Sequence, residues 1–471
     1  MSALDVENFH EIMNDNKTIW IRGREVLVED PTEIFERALN ALDFENHGRD
    51  YMAFELTAYP LSLFNETGMR KGKKSHLFSI FKPCGRKLSN IWQYSYIIDG
   101  GMLLYKIDWK VGEQFGSIFQ RLIDFIHKKF GRQVTVVFDG YRRVGTKSFD
   151  RIRRATFVEP SDDLQVEERS TLTVTRDSFL GNSRNKEQFI ENFVRKLNAV
   201  NISYCVAEED ADAKIVRTAI QEANHTNNKV VIVAEDIDVL VLMASLCPRG
   251  IEMFFYKMGS PTRKIPPKIY SSTNCLKQEF ENCKDHLLFL HAFTGCDTTS
   301  VFYAKGKVKF AKILNARKDI QAAAEIFQSK QDVQGLKNKL YNAGSKCVLA
   351  LYGAPENVDC VNEWRYLKYF VKTKKKPKIH VLPPTHDAMI EHLKRVYHQI
   401  QAWQGRMLSA PRWGWEKKGN VLAPVTTPIV AATDFVLNKI FCNCKSGGNC
   451  GKKCGCLKKD LKCSNLCHCR C

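Results

Sequence analysis

The stretch Lys229 to Met243, KVVIVAEDIDVLVLM, constrains the chain most. An apolar run of this length reads as a buried central strand of a parallel sheet. Glu235, Asp236 and Asp238 interrupt it and fall at the mouth of that sheet, where open α/β folds keep their sites. Burying so much negative charge needs a counter-ion, so the stretch implies a cation. An acidic turn between two core strands is the plainer reading of the same residues.

Other segments share the habit. YSYIIDGG reads as a strand from Tyr94 into Asp99. A helix follows, with Phe115, Ile118, Phe119, Leu122, Phe125 and Ile126 on one face and Gly131 at the position of a C-terminal cap. VTVVFDG is a second strand ending at Asp139, and strand, helix, strand makes a βαβ unit with a right-handed crossover. A polar stretch from Ser161 to Ser183 reads as a mobile excursion. The amphipathic helix NKEQFIENFVRKLNAV then leads to a third strand, ISYCVA, and to Asp210 and Asp212. Lys229 to Met243 is the fourth strand, and the helix LLFLHAFTG ends at Gly295 and presents Asp297.

Seven aspartates, Asp99, Asp139, Asp210, Asp212, Asp236, Asp238 and Asp297, thus fall at the ends of predicted elements, toward one edge of one sheet. Hard oxygen ligands of this kind suit Mg²⁺ or Mn²⁺. Two such ions roughly 3.5–4 Å apart activate water and stabilise the charge of an in-line displacement at phosphorus.

The series resembles the flap-endonuclease (XPG-type) 5′ nucleases, a branch of the PIN-like fold. IIDGGMLLYKI (Ile97 to Ile107) looks like the family's first strand, and Val137 to Gly140 is its VFDG motif. Lys147 and Arg154 have the spacing of its basic gateway pair. Asp210-Ala211-Asp212 is similar to its glutamate pair, with aspartates in place of both glutamates; Ala234 to Asp238 is similar to its TEDxD motif. Gly295-Cys296-Asp297 looks like its last ligand turn. The resemblance spans residues 94 to 312. It implies a PIN-like three-layer α/β/α fold with a mainly parallel central sheet and metal-dependent phosphodiester hydrolysis. Lys147 and Arg154 would neutralise charge on the phosphate, Asp99, Asp139, Asp210 and Asp212 would serve mainly one ion, and Asp236, Asp238 and Asp297 mainly the other.

The tail is a second centre. Cys442, Cys444, Cys450, Cys454, Cys456, Cys463, Cys467, Cys469 and Cys471 account for nine of the seventeen cysteines. Spacing this dense is that of a zinc–thiolate site. It resembles a tesmin-type CXC (CRC) domain, whose nine cysteines hold three Zn²⁺. Lys453 stands where that family has a DNA-contacting tyrosine, and the spacing of the third and last cysteines differs by one residue.

A formal charge of +19 points to a polyanionic partner: DNA first, with RNA not excluded. MSALDVENFH has neither the basic start nor the apolar run of a secretory signal, and no apolar stretch reaches the roughly 18 residues of a membrane span. A reducing compartment follows, and VKTKKKPK (Val371 to Lys378) reads as a nuclear localisation patch or a solvated linker. The expected organisation is an N-terminal region of unknown role (1–90) containing the basic loop MRKGKKSH, a nuclease core (91–312), a helical extension and connector (313–440), and the zinc tail (441–471). His386, His392 and His398 recur every six residues on a predicted helix, share no face and make no metal site. Two functions fit: a metal-dependent nuclease with a DNA-binding tail, or an inactive relic that binds DNA in transcription.

Overall fold

The computed structural model describes residues 3–85, 93–140, 145–157, 161–208, 211–226, 229–260, 264–329, 335–370, 378–445 and 450–469. Asp210, Cys471 and the basic run at 371–377 lie outside the described residues. The chain divides into two compact units. The first is Lys73–His291 with Met1–Val6 and Trp403–Arg406; the second is Glu7–Gly72, Ala292–Ala402 and Met407–Cys471.

In the first unit, six strands form one sheet: β1 (Tyr94–Asp99), β2 (Val134–Phe138), β3 (Ser203–Val206), β4 (Lys229–Val233), β5 (Met253–Lys257) and β6 (Lys268–Ser271). Their order is β6-β5-β4-β1-β2-β3, and every pair is parallel except β5 with β6 at one edge. Ile98 of β1 faces Val136 on one side and Val233 on the other, so β1 is central. Alternate residues of the strands, including Tyr96, Ile98, Val136 and Val233, pack with Phe119, Leu122, Phe189 and Phe193 of helices Phe115–Phe130 and Ser183–Ala199. Sequence order reverses between β1 and β4. Right-handed crossovers therefore place helices Ala211–His225 and Ile237–Leu246, which follow β3 and β4, on the other face. The result is a three-layer α/β/α unit with a mainly parallel sheet, as expected.

Two expectations need correction. β4 stops at Val233, and VLVLM belongs to helix Ile237–Leu246. Every residue from Ile237 to Ala244 is buried, so the helix has no polar face and its apolar run carries no helical period. Asp236 starts it: extended backbone, with the Asp238 N–H donating to its Oδ1 at 3.2 Å. The polar stretch before Ser183 is not an excursion. Gln114 and Thr171 form an antiparallel bridge, Val166 and Leu172 enter the core, and fully buried Asn185 accepts from Leu164 N and donates to Asp162 O.

The second unit draws on both sides of the first in sequence. Arg365, 1% exposed, donates to the Glu55 and Pro383 carbonyls, while Glu55 Oε1 accepts from Thr385 N and Oγ1, both at 2.8 Å. The N-terminal region therefore joins helices Val361–Phe370 and His386–Trp403 through buried, hydrogen-bonded polar side chains, with Arg365 Nε left without a hydrogen bond. The stretch read as a connector contains a hairpin, Trp415–Lys418 with Val421–Pro424, and helix Asp434–Ile440. Among the described residues no helix is long and apolar enough to cross a membrane.

Two outcomes are expected. A Cβ on Gly140 would stand 2.0 Å from the Ala207 carbonyl oxygen and 2.6 Å from that of Glu208, so Gly140→Ala should cost about 3 kcal/mol in urea unfolding. In the second unit, His392 is fully buried, its Nε2 3.1 Å from the Phe293 carbonyl oxygen, and burial pushes its pKa down from 6.5 to about 3. The folded imidazole stays neutral while the unfolded one protonates. Its contribution to stability is complete above pH 6.5 and shrinks as pH falls toward 3. His392→Gln should flatten that slope in melts from pH 7 to about 4.

Candidate metal centres

Three carboxylates stand at the carboxyl edge of the sheet, where strand order reverses, with the donor atoms of the three not all within 4.8 Å of one another. Asp99 ends β1, Asp139 follows β2 and Asp236 follows β4. Each shares an oxygen with backbone N–H groups at a helix start. Asp99 Oδ1 accepts from Met102 N at 3.1 Å, Asp139 Oδ1 from Ala211 N at 3.1 Å, and Asp236 Oδ1 from Asp238 N. Such bonds orient the carboxylates before any ligand arrives.

Gly101 makes room between two of them. Its missing Cβ would lie 3.2 Å from Asp99 Oδ1 and 3.8 Å from Asp139 Oδ2, so a side chain there would fill the space both oxygens border. Burial pushes the Asp99 pKa up to about 6; the charges of Asp139 and Asp236 act in the same direction, against the Met102 and Gly101 N–H groups. A half-buried carboxylate facing two others is the environment a hard divalent cation relieves. The donor set fits Mg²⁺ or Mn²⁺.

Asp236 itself and the flanking Asp238 and Asp212 are met by cations of the chain. Lys74 Nζ lies 2.7 Å from Asp236 Oδ2 and 3.2 Å from Asp238 Oδ2. Asp238, 2% exposed, also holds His291 Nε2 at 2.9 Å, and that ring stacks on Trp403 at 5.6 Å between centroids. Burial alone would raise the Asp238 carboxyl, but His291 and Lys74 hold it well below the usual carboxylate range. Lys147 Nζ is 3.2 Å from Asp212 Oδ2. Arg154 pairs with Asp150 of its own helix at 2.7 Å and is more than half exposed. Glu235, never assigned to the site, is taken by Lys106 at 2.8 Å and Lys257 at 3.0 Å. Asp297 belongs to the second unit, where its carbonyl accepts from Lys71 Nζ at 2.6 Å.

Sequence reading assigned no chemistry to Lys74 or His291. MRKGKKSH showed only that a basic loop exists, and His291 sat unremarked in an apolar helix. Their partners are 164 and 53 residues away, a separation that carries no local signal.

The second centre is the cysteine tail. Among the described residues, three or more ligand side chains with donor atoms all within 4.8 Å of one another occur only here. The groups are Cys442, Cys444, Cys450 and Cys454; Cys442, Cys456, Cys463 and Cys467; and Cys442, Cys450, Cys463 and Cys469. Sulfur pairs such as Cys442–Cys469, Cys454–Cys463 and Cys456–Cys467 stand 3.6, 3.5 and 3.5 Å apart. A tetrahedron of thiolates about 2.3 Å from Zn²⁺ has edges of roughly 3.8 Å, so the sulfurs stand near coordinating distance from one another. The cluster can hold zinc.

No family model and no curated relative matches the chain. Among solved structures it is similar to the catalytic core of Rad2 in complex with DNA substrate, at 15% identity and TM-score 0.33, covering 70% of this chain and 93% of that one. It is also similar to human GEN1 in complex with Holliday junction DNA, at 13% identity and TM-score 0.31, covering 70% and 75%. Likenesses this distant add no functional weight, and the chemistry rests on the residues themselves.

The two kinds of aspartate should separate on mutation. Asp238→Ala strands a buried imidazole and should cost about 3–5 kcal/mol in denaturant unfolding. Asp236, with 35% of its side chain exposed, should be replaceable by Ala within about 1 kcal/mol.

Proposed function

We propose that the chain is a divalent-metal-dependent nuclease acting on DNA, with a zinc-binding tail. The observation that carries this reading is the pair Asp99 and Asp139 facing one space over Gly101, with Asp236 near enough to raise the Asp99 pKa. The motif resemblance along residues 94 to 312 supports it independently, since Asp139 and Gly140 stand in the VFDG motif.

Mg²⁺ or Mn²⁺, when bound, supplies Lewis-acid activation of water and of the phosphate. The chain's own residues do the rest. Asp99, Asp139 and Asp236 would hold the ion, each accepting a backbone N–H bond at a helix start. Lys147 keeps an ammonium group beside Asp212, where a phosphodiester oxygen competes for it. In the tail, three zinc ions on nine thiolates, in the manner of a CXC domain, carry a net charge of roughly −3 against the tail's seven Lys/Arg and one Asp. Exposed Lys452, Lys453 and Lys458 remain available to phosphate. A nuclear location follows from a DNA substrate and belongs to the same proposal.

One observation favours a second reading. Lys74 already neutralises Asp236 and Asp238, as a built-in cation would in a core that binds DNA without cutting. Purified protein incubated with Mg²⁺ or Mn²⁺ and 5′-flap, nicked or single-stranded DNA decides between them. Cleavage that falls about 100-fold or more in Asp99→Asn is expected. Binding without cleavage selects the second reading, and cleavage indifferent to Asp99→Asn with Asp139→Asn overturns the site.

A further inference from the structure

Arg37 lies on helix Glu33–Ala41, far in sequence from the cysteine tail but in the same unit. It is 8% exposed. Its Nε and Nη2 donate to the Ile440 carbonyl at 3.0 and 2.8 Å, and its Nη1 donates to the Lys462 carbonyl at 2.6 Å. Its Nη2 also reaches Cys456 Sγ at 2.9 Å and lies 3.8 Å from Cys467 Sγ. The guanidinium stands over the Phe441 ring, 4.9 Å from its centroid. Among the described residues the carboxylate it pairs with is Glu33 Oε1, at 3.7 Å.

A guanidinium stays charged at any ordinary pH. Buried, it needs an anion, and a lone carboxylate at 3.7 Å answers only part of that need. The two sulfurs it addresses are themselves buried, 3.5 Å apart, and share one four-cysteine group. Protonated, they would be poor acceptors for a cation; as metal-bound thiolates they supply the missing negative charge.

A second arginine fixes the same junction. Arg22, in the turn between strands Thr18–Ile21 and Arg24–Leu27, donates from Nη2 to the Asn438 and Phe441 carbonyls at 3.1 and 3.0 Å. Those carbonyls close the C-terminus of helix Asp434–Ile440, where a cation is favoured. It touches no sulfur in any of these bonds, which makes it the control.

We infer that Arg37 is an outer partner of the metal–thiolate cluster, so that metal loading and the docking of residues 18–41 onto the tail are one event. The inference rests on the zinc reading above. Arg37 positions two thiolates and offsets their charge; Lys in its place has its three donors on one nitrogen and lacks the fork whose Nε, Nη1 and Nη2 reach Ile440, Lys462 and Cys456. The tail is then a clasp that closes the second unit as well as a surface for DNA.

The test uses the full chain. Metal content is read by elemental analysis, and zinc release to a chromogenic chelator is timed for wild type, Arg37→Gln, Arg37→Lys and Arg22→Gln. Loss of an outer partner typically costs 10–100-fold in metal affinity, so release from Arg37→Gln should be about tenfold faster or more. Arg37→Lys should be intermediate, and Arg22→Gln, which loosens the junction without removing a bond to sulfur, should speed release less than Arg37→Gln and leave the Co²⁺ charge-transfer band in place. In the Co²⁺-loaded protein, removing the N–H···S bonds should move the thiolate-to-metal charge-transfer band to lower energy, which a purely structural role would not do. Should Arg37→Gln fail to fold, hydrogen exchange on wild type still decides. Chelation should expose amides 18–41, and unchanged protection overturns the inference. Wild type without zinc overturns the zinc reading itself; zinc-loaded wild type with Arg37→Gln releasing metal at the same rate overturns only the role of Arg37.

Discussion

Negative charge gathered in a folded interior has to be met by positive charge from somewhere, and here it is met from far along the chain. The reversal of strand order between β1 and β4 draws Asp99, Asp139 and Asp236 to one crevice. Lys74 and Lys147 answer the flanking aspartates, while Asp99 and Asp139 border one space over Gly101. In the tail the same demand falls on Arg37. Folding and metal chemistry are therefore one electrostatic problem with two local solutions.

That division changes how the basic composition reads. A charge of +19 suggests a surface made for polyanions. Lys74, with about a quarter of its side chain exposed, and Arg37, almost wholly buried, are instead internal counter-ions. The lysines that remain exposed in the tail are the ones a phosphate backbone can use.

Much of the first unit was legible in the sequence. Short apolar runs ending in an aspartate marked β1 and β2, a period of 3.6 marked helix Phe115–Phe130, and Gly131 with its φ of 78° caps that helix as its position suggested. The strand-end aspartates were legible because residues there are geometrically fixed to one edge. What failed did so for stated reasons. VLVLM is buried on all sides and shows no period; the signal was Asp236 as a helix cap, a two-residue cue beside a strong apolar run. Lys74, His291 and Arg37 were invisible because each acts through a partner that only the tertiary fold brings near. The first 90 residues showed helical spacing from Ile34 to Phe44 but no chemistry, for the same reason: Glu55 and Arg37 acquire meaning only against Arg365 and Cys456.

The first unit is nearly one continuous stretch, whereas the second is assembled from segments on both sides of it. On a ribosome the first can close as soon as its strands have emerged. The second cannot, since Arg37 and Cys456 are 419 residues apart. At ordinary translation speeds that is a wait on the order of tens of seconds, during which the Arg37 guanidinium lacks the carbonyls and sulfurs it addresses in the folded unit. Nascent chains should accordingly depend on a holding chaperone until the tail arrives, and a shortage of the zinc proposed for it should show first as misfolded newly made protein rather than as a damaged mature one.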